Sequence, residues 1–244
     1  MVIYIYDGSF EGLLTAIYEA YYRREQPEHL LARREFMPDL FSQPVYIDTD
    51  HIKSEKVFLS IENKISSAAL RHVFYAFLSE TEAVGTMIYN YLQLGWQVGS
   101  EVDRHLADDR VSKIHQLSQK VSRERHRMLG LIRFRQLAGG IYYAPIEPDY
   151  NVTALVAPHF VRRLADQNWI IHDLKRGLAA LYNQREWIMT EMDFTRSLVY
   201  EQKEHDYQQL WRQYFDSAAV PGRINPKLQR KYMPVRYWRH LIEK

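Results

Sequence analysis

The chain has 244 residues, of which 46% are hydrophobic and 14% aromatic, and its formal net charge at pH 7 is only +2. This apolar and aromatic content excludes an intrinsically disordered chain, and the length suits one large domain or two small ones. Because the chain lacks cysteine, it has no disulfide, no thiolate zinc site and no cysteine-ligated iron–sulfur cluster.

Targeting signals are also missing from the sequence. No apolar run approaches the roughly 18 residues of a membrane span, and the first residues have neither the basic region nor the apolar stretch of a secretory signal. We therefore expect a cytoplasmic chain with no membrane partner. We also expect no cofactor and no metal of its own, because the spacing of the candidate histidines and carboxylates matches no ligand signature.

The N-terminal run Val2–Tyr6 is apolar and β-branched, which predicts a buried strand. Residues 7–9 predict a turn into an amphipathic helix near Phe10, with Asp7 or Ser9 as its cap. Phosphate-binding loops occur at such strand-to-helix turns, but this one lacks the Gly-Lys-Ser/Thr signature and contains a glutamate that would repel a phosphate. We interpret it as a structural turn.

The next hundred residues change from loop to helix. Polar residues and two prolines at 23–43 predict a loop with some helix, and a strand is expected at Pro44–Asp48. Residues 60–130 predict three helices with short connections, which favours antiparallel packing. Ser60 and Thr81 are the expected caps of the first two helices.

Apolar and polar residues alternate after residue 131, which predicts a strand-rich region. A hairpin is expected over residues 132–146, followed by a helix at Val152–Ala165. A meander of three strands is expected at Trp169–His172, Leu178–Tyr182 and Trp187–Thr190.

These elements predict an α+β fold in which a helical hairpin region packs with a mostly antiparallel sheet. Residues 1–219 are expected to form a single mixed domain that is helix-rich at 60–130 and strand-rich at 131–192. Residues 220–244 form a basic, aromatic C-terminal tail.

The third predicted helix and the strand after it carry four candidates for phosphate contact, which are Arg123, Arg127, Arg133 and Arg135. The first two lie one helical turn apart and share a face. Tyr142 and Tyr143 on the returning strand are candidates for base stacking. Because neighbours on a strand face opposite sides, only one of these tyrosines can lie beside the strand arginines. The alternative is an ordinary solvated helix face.

The tail interleaves basic and aromatic residues, and its candidates are Arg236, Tyr237, Trp238 and Arg239. This composition suits a groove for single-stranded nucleic acid or a docking segment. The alternative is a segment that wraps the core, with its aromatic rings buried and its arginines reaching solvent. Lys175 and Arg176, at a turn of the strand meander, are further candidates for phosphate contact.

His159, His172 and Asp173 are the candidates for an acid–base or metal site, together with Glu147 or Asp149. His172 and Asp173 lie at a strand end beside a basic turn. The alternative for this pair is therefore a hydrogen-bonded turn without chemistry.

Three segments resemble sequences of the domain-of-unknown-function 4130 family. They are YIYDGSFEGLLTAIYEAY at Tyr4–Tyr21, APHFVRRLADQNWIIHDLKRGLAALYN at Ala157–Asn183 and MPVRYWRHLIEK at Met233–Lys244. They span the chain from end to end and contain no catalytic motif.

That family is described as DNA-metabolism or DNA-repair proteins, and the resemblance implies association with a radical S-adenosylmethionine (SAM) protein. Some members are fused to a uracil-DNA glycosylase-like domain. This chain ends about where such a region would begin, so we do not expect glycosylase activity of it. Any iron–sulfur cluster is expected on the partner.

Three functional hypotheses remain open. The first is a DNA-metabolism or DNA-repair accessory protein that binds nucleic acid, a radical SAM partner, or both. The second is a protein-only scaffold for the radical SAM enzyme. The third is a nucleic-acid-processing enzyme that uses the His159, His172 and Asp173 side chains.

Overall fold

In a computed structural model of the chain, the described residues are 2–38, 40–193, 198–218, 222 and 225–244. Among them the helices are α1 (Phe10–Tyr22), α2 (His51–Lys64), α3 (Ser67–Phe77), α4 (Val84–Val98), α5 (Asp109–Leu131), α6 (Thr153–Arg163), α7 (Glu204–Ser217) and α8 (Pro226–Tyr232). The strands are β1 (Val2–Tyr6), β2 (His29–Ala32), β3 (Gln43–Tyr46), β4 (Arg135–Gln136), β5 (Tyr142–Ile146), β6 (Trp169–Asp173), β7 (Leu178–Tyr182) and β8 (Trp187–Glu191). Short 3-10 helices occupy Arg33–Glu35, Gly99–Arg104 and Val235–His240.

Backbone contacts divide the chain into two compact units, residues 1–122 and 123–244. The division falls inside α5, and residues 225–244 belong to the second unit. The sequence has no signal for this division, because the helical pattern of α5 continues through it without a linker. The expected single domain over residues 1–219 stays a prediction.

The sheet of the first unit has three parallel strands in the order β2-β1-β3. Ile3 lies opposite His29 of β2, and Ile5 lies opposite Tyr46 of β3. The central strand β1 is almost wholly buried, as its continuous apolar sequence predicts. Strand β2 is a correction to the sequence analysis, because its four residues lie in a segment whose polar composition predicts a loop.

The turn between β1 and α1 is held by its own side chains. Asp7 Oδ1 accepts hydrogen bonds from the Ser9 backbone N–H at 2.8 Å and the Ser9 hydroxyl at 2.7 Å. Ser9 Oγ in turn accepts from the Gly12 N–H at 2.9 Å, so Ser9 caps α1. A Cβ atom at Gly12 would come 2.1 Å from Asp7 Oδ1. These contacts agree with the interpretation of a structural turn.

The helices of the first unit begin at other residues than the sequence suggests. Asp50 caps α2 by accepting from the backbone N–H groups of the first turn. Helix α2 ends at Lys64 with Ile65 as its C-cap, and Ser66 caps α3. The expected cap at Ser60 is therefore wrong. Thr81 does not cap α4 through its side chain either. The N-cap residue of α4 is Ala83, whose backbone has a left-handed conformation.

The core of the first unit lies between this sheet and the helices. Its fully buried side chains come from the sheet, from α1 and from the four following helices, and include Tyr4, Leu13, Ile17, Ile61, Val73, Ile88, Leu92, Val111 and Ile114. The amphipathic stripes that predict the helices therefore mark their buried faces.

The second unit contains a five-stranded sheet in the order β4-β5-β6-β7-β8. The hairpin β4–β5 is antiparallel, β5 and β6 are parallel with α6 between them in the chain, and β6, β7 and β8 form an antiparallel meander. The predicted hairpin, helix and meander are confirmed.

The α+β class is also confirmed, whereas the mostly antiparallel sheet is only partly right. The first sheet is parallel and the second is mixed. Among the described residues, no helix is both long enough and apolar enough to cross a bilayer.

Candidate functional site

The second unit contains a cleft of about 600 Å3 beside the β4–β5 hairpin. Its wall is formed by the end of α5, the hairpin, the end of α6, α7 and the C-terminal segment, which we define as residues 233–244. The residues that line it include Arg133, Phe134, Gln136, Tyr142, Phe160, Arg163, Glu204, Tyr207, Gln208 and Trp211. The volume falls in the range of about 300–1,000 Å3 that is usual for small-ligand sites.

Aromatic rings line much of this cleft. The Phe134 ring meets the Phe160 ring edge to face, with 5.2 Å between their centroids. Tyr142 is half-buried, while Tyr207 and Trp211 on α7 keep 61% and 38% of their surface exposed. The cleft therefore offers flat apolar surface that is open to a ligand.

Glu204 joins α7 to the hairpin. It is 7% exposed, and its Oε2 accepts from the Gln136 backbone N–H at 2.8 Å. Its Oε1 accepts from Gln208 Nε2, also at 2.8 Å. Both carboxylate oxygens are thus occupied, so Glu204 fixes the position of the amide side chain of Gln208 in the cleft wall.

Arg133, a sequence candidate, lies in this wall but already has a partner. Its Nη2 and Nε donate to the two oxygens of Glu243 at 2.6 and 3.2 Å, and its guanidinium lies 5.5 Å from the centre of the Trp211 ring. The Glu243 side chain is fully buried. Burial acts to raise the pKa of Glu243, but the hydrogen bonds from Arg133 and Trp211 hold it below its usual value. The charge of Arg133 is therefore neutralised within the protein.

Arg163, which the sequence analysis did not select, is different. It lies in the last turn of α6 and its side chain is exposed. Within the described parts of the chain it makes no ion pair or side-chain hydrogen bond. The Arg162–Arg163 pair at a helix C-terminus was the available signal, but basic residues there are commonly explained by the helix dipole.

Part of the C-terminal segment packs on a buried carboxylate of α5. Glu124 is 1% exposed and accepts hydrogen bonds from the Tyr237 hydroxyl and, at 2.9 Å, from the Asp149 backbone N–H. Arg236 lies 2.6 Å from the Asp149 carboxylate and above the Tyr237 ring. Tyr237 itself is 3% exposed, so its selection as a stacking surface is corrected. Arg127 reaches the same Glu124 carboxylate at 3.8 Å.

The rest of this segment follows the same pattern. Arg239 forms an ion pair with Glu147. Trp238 Nε1 donates to the Met233 carbonyl at 2.8 Å. Arg135 donates to the His240 carbonyl at 3.4 Å. The contacts favour the alternative in which the segment wraps the unit, although Arg236 and Arg239 keep 46% and 58% of their side-chain surface exposed.

Arg176 also has a structural role. Its Nη1 lies 2.8 Å from Asp173 Oδ2, and its guanidinium donates to the carbonyls of Pro148 and Asp149. Its side chain is 8% exposed and that of Asp173 is fully buried. Selecting Arg176 for phosphate contact is therefore corrected, because its guanidinium lies inside the turn.

Of the remaining candidates, Lys175 and Arg123 are exposed and Tyr143 is buried. The Tyr143 hydroxyl lies 2.9 Å from His172 Nδ1. Tyr143 is therefore the tyrosine that faces the core, and Tyr142 is the one that reaches the cleft. Alternation along the strand predicts this division between the two neighbours.

The catalytic candidates do not converge. His172 is 2% exposed, and its Nε2 lies 2.8 Å from the Met192 carbonyl. Asp173 faces the other side of the same strand and pairs with Arg176. His159, on α6, is half-buried and contacts the Phe160 ring. Across the described ranges, these three side chains do not form a group whose ligand atoms lie within 4.8 Å of one another.

In a comparison with protein families, the family described as "Domain of unknown function (DUF4130)" matches residues 82–243. The match covers more than half of the chain. It includes the segment Ala157–Asn183 that carries the resemblance, while Tyr4–Tyr21 lies outside it. A search of curated proteins finds no match.

Proposed function

Because the chain belongs to the domain-of-unknown-function 4130 family, whose name states no activity, we propose a function from the geometry of its second unit. The chain acts in DNA metabolism or repair in the cytoplasm, and the cleft beside the β4–β5 hairpin holds one unstacked base of a nucleic acid. The observation that carries this proposal is an aromatic cleft whose wall contains an arginine, Arg163, that has no partner among the described residues.

The ligand class follows from the chemistry of the wall. Every base has a flat π-face, so Tyr142, Tyr207 and Trp211 offer stacking that tolerates different bases. The amide side chain of Gln208 offers a hydrogen-bonding edge. Arg163 supplies the positive charge that a phosphate next to the base requires. Single-stranded nucleic acid presents an unstacked base at the smallest energetic cost, so it is the preferred substrate form.

The first test compares two tyrosines of α7. Tyr207→Ser removes a ring from the cleft, whereas Tyr214→Ser removes an equally exposed ring, 63% against 61%, that does not line it. We expect Tyr207→Ser to weaken binding of a short single-stranded oligonucleotide at least about fivefold, since one stacking contact contributes about 1–3 kcal/mol. Filter binding at several salt concentrations measures this. Equal losses in both variants would count against the cleft.

The second test compares two arginines of α6. Arg163→Gln removes the cleft cation, and Arg162→Gln removes an exposed neighbour of the same charge that is not part of the wall. A lost phosphate contact on a single strand lowers the salt slope of log K by about 0.7. We expect this change in Arg163→Gln alone. A chain that binds no oligonucleotide at low salt, or binds with no salt dependence, would overturn the proposal.

A second candidate function is docking of a protein partner, which the family resemblance suggests is a radical SAM protein. It rests on one exposed stripe of α7, whose members are Tyr207, Leu210, Trp211 and Tyr214. These residues are spaced three and four apart, as on one helical face. Leu210 is 59% exposed and does not line the cleft. Leu210→Asp should therefore abolish co-purification with the radical SAM protein and leave oligonucleotide affinity unchanged, whereas Tyr207→Ser should weaken the affinity.

A further inference from the structure

The first unit brings two histidines and a carboxylate together at one place. His72 comes from α3, Asp103 from the 3-10 helix Gly99–Arg104, and His115 from α5. One potential ligand atom from each lies within 4.8 Å of the others. The side chains of His115 and Asp103 keep 17% and 21% of their surface exposed, so the cluster is sheltered but reachable from solvent.

The contacts within the cluster are close. His115 Nε2 lies 2.8 Å from Asp103 Oδ1. The His72 and His115 rings stack with 4.3 Å between their centroids, and His72 Nδ1 lies 3.0 Å from Ser118 Oγ. Two stacked imidazolium cations would repel each other. Burial and the nearby His115 lower the pKa of His72.

A buried tyrosine supports the carboxylate from behind. Tyr91, on α4, is fully buried, and its hydroxyl donates to Asp103 Oδ1 at 2.7 Å. Burial, together with the hydrogen bond to Asp103, raises the pKa of Tyr91, so it stays a donor. Among the described residues, no protein group bonds Asp103 Oδ2. One carboxylate oxygen is thus held in place, and the other is available to an ion.

We propose that His72, Asp103 and His115 bind one divalent first-row transition metal ion, such as Zn2+. Two imidazoles and one carboxylate are a donor set for these metals, whereas Mg2+ and Ca2+ prefer oxygen ligands alone. Three protein ligands leave a coordination position for water or a substrate. This site lies in the first unit and does not depend on the function proposed for the cleft.

The cluster has to rearrange its side chains to close around an ion. Ligand atoms about 2.1 Å from a tetrahedral ion lie about 3.4 Å from one another. To reach this from separations of at most 4.8 Å, the stacked His72 and His115 rings must turn so that each directs a ring nitrogen at the ion. Metal binding replaces the His115–Asp103 hydrogen bond. Tyr91 keeps its bond to the carboxylate and acts as the outer-sphere support that metal ligands commonly have.

The test is titration of the tag-free, metal-stripped full chain with Zn2+, Co2+ or Mg2+ at pH 7.5, followed by calorimetry and, for Co2+, by visible absorption. We expect one equivalent of Zn2+ or Co2+ to bind, and no response to Mg2+ at the same concentration. Affinity should fall at lower pH because the histidines must be deprotonated to bind metal. Absence of a 1:1 Zn2+ or Co2+ site would overturn the proposal.

Variants separate this site from adventitious binding by surface histidines. Asp103→Asn and His115→Gln should each weaken Zn2+ at least tenfold, and Tyr91→Phe should weaken it about tenfold through the loss of outer-sphere support. His105→Gln, an exposed histidine close in the chain, is the matched control and should bind as the unchanged protein does. Circular dichroism of each variant establishes that it is folded. Folded Asp103→Asn or His115→Gln protein with undiminished Zn2+ affinity would refute the assignment.

Discussion

The C-terminal segment, residues 233–244, and the cleft wall are both basic and aromatic in sequence, but their cations have different surroundings. In the segment, Arg236 lies 2.6 Å from Asp149 and Arg239 pairs with Glu147. In the cleft wall, Arg163 is exposed and, among the described residues, has no partner. The comparison teaches that a count of basic residues does not identify a ligand site. What distinguishes Arg236 and Arg239, and also Arg133 of the cleft wall, from Arg163 is that a described residue of the protein supplies their anion.

The largest effect on stability is expected when an arginine that is paired with a carboxylate of the protein is replaced. Arg133→Met leaves the Glu243 carboxylate, which is fully buried, without its main partner. We expect the free energy of unfolding to fall by about 3 kcal/mol, because breaking a buried ion pair leaves an uncompensated charge. Urea denaturation at pH 7 measures this. A loss below about 1 kcal/mol would mean that Glu243 protonates or finds water, and that the segment is held mainly by other contacts.

The next effect concerns the hydroxyl that Tyr237 donates to Glu124. Tyr237→Phe keeps the buried ring and removes the donor to a buried carboxylate. We expect a loss of about 2 kcal/mol in the free energy of unfolding, since hydrogen bonds to charged groups contribute about 1.5–3 kcal/mol. Tyr232→Phe, at a tyrosine that is 65% exposed, is the control and should show no change.

A pH dependence sharpens the comparison further. Burial and the guanidinium groups of Arg239 and Arg135 lower the pKa of His240 to about 4, although Glu147 Oε2 lies 3.0 Å from its Nε2. The unfolded chain therefore takes up a proton here near pH 6.5 while the folded chain does not. This contribution to stability is present above pH 6.5 and is lost as the pH falls towards 4. The stability difference between the unchanged protein and His240→Asn should shift by about 1 kcal/mol or more between pH 7 and pH 4.5. Parallel pH profiles would contradict this.

The smallest effect on stability is expected at Arg163, which has no partner among the described residues. Arg163→Gln removes an exposed charge without a described partner, so the free energy of unfolding should change by no more than about 0.5 kcal/mol. The same urea denaturation measures it. A loss comparable to that of Arg133→Met would show that Arg163 belongs to the fold and would weaken its assignment to a phosphate.

Local signals predicted much of the fold. Alternation and turn residues identified the meander of β6, β7 and β8, and the Asp7–Ser9 turn followed from its short polar side chains. Strand β2 was missed because it is only four residues long and lies within a polar segment. The separation of α2 from α3 at Ile65 was missed because the apolar stripe of α2 continues into that of α3.

The candidate sites were predicted less well, because their partners are far apart in the sequence. Glu124 and Tyr237 are 113 residues apart, and Arg133 and Glu243 are 110 apart. No spacing rule connects such pairs, so matched and unmatched arginines look alike in the sequence. The cluster of His72, Asp103 and His115 was missed for the same reason, since three separate elements supply it. Tyr142 was found because alternation is a local property of one strand.

Trp211 gives the cleft an optical property. Its indole N–H is bonded to Glu243 at 3.0 Å, and 38% of its surface remains exposed, whereas Trp169 is fully buried. Its emission should therefore lie to the red of the Trp169 emission and should be quenched by acrylamide. The difference spectrum between the unchanged protein and Trp211→Phe isolates this signal. The molecule thus contains its own fluorescent reporter for occupancy of the cleft, with no need for an attached dye.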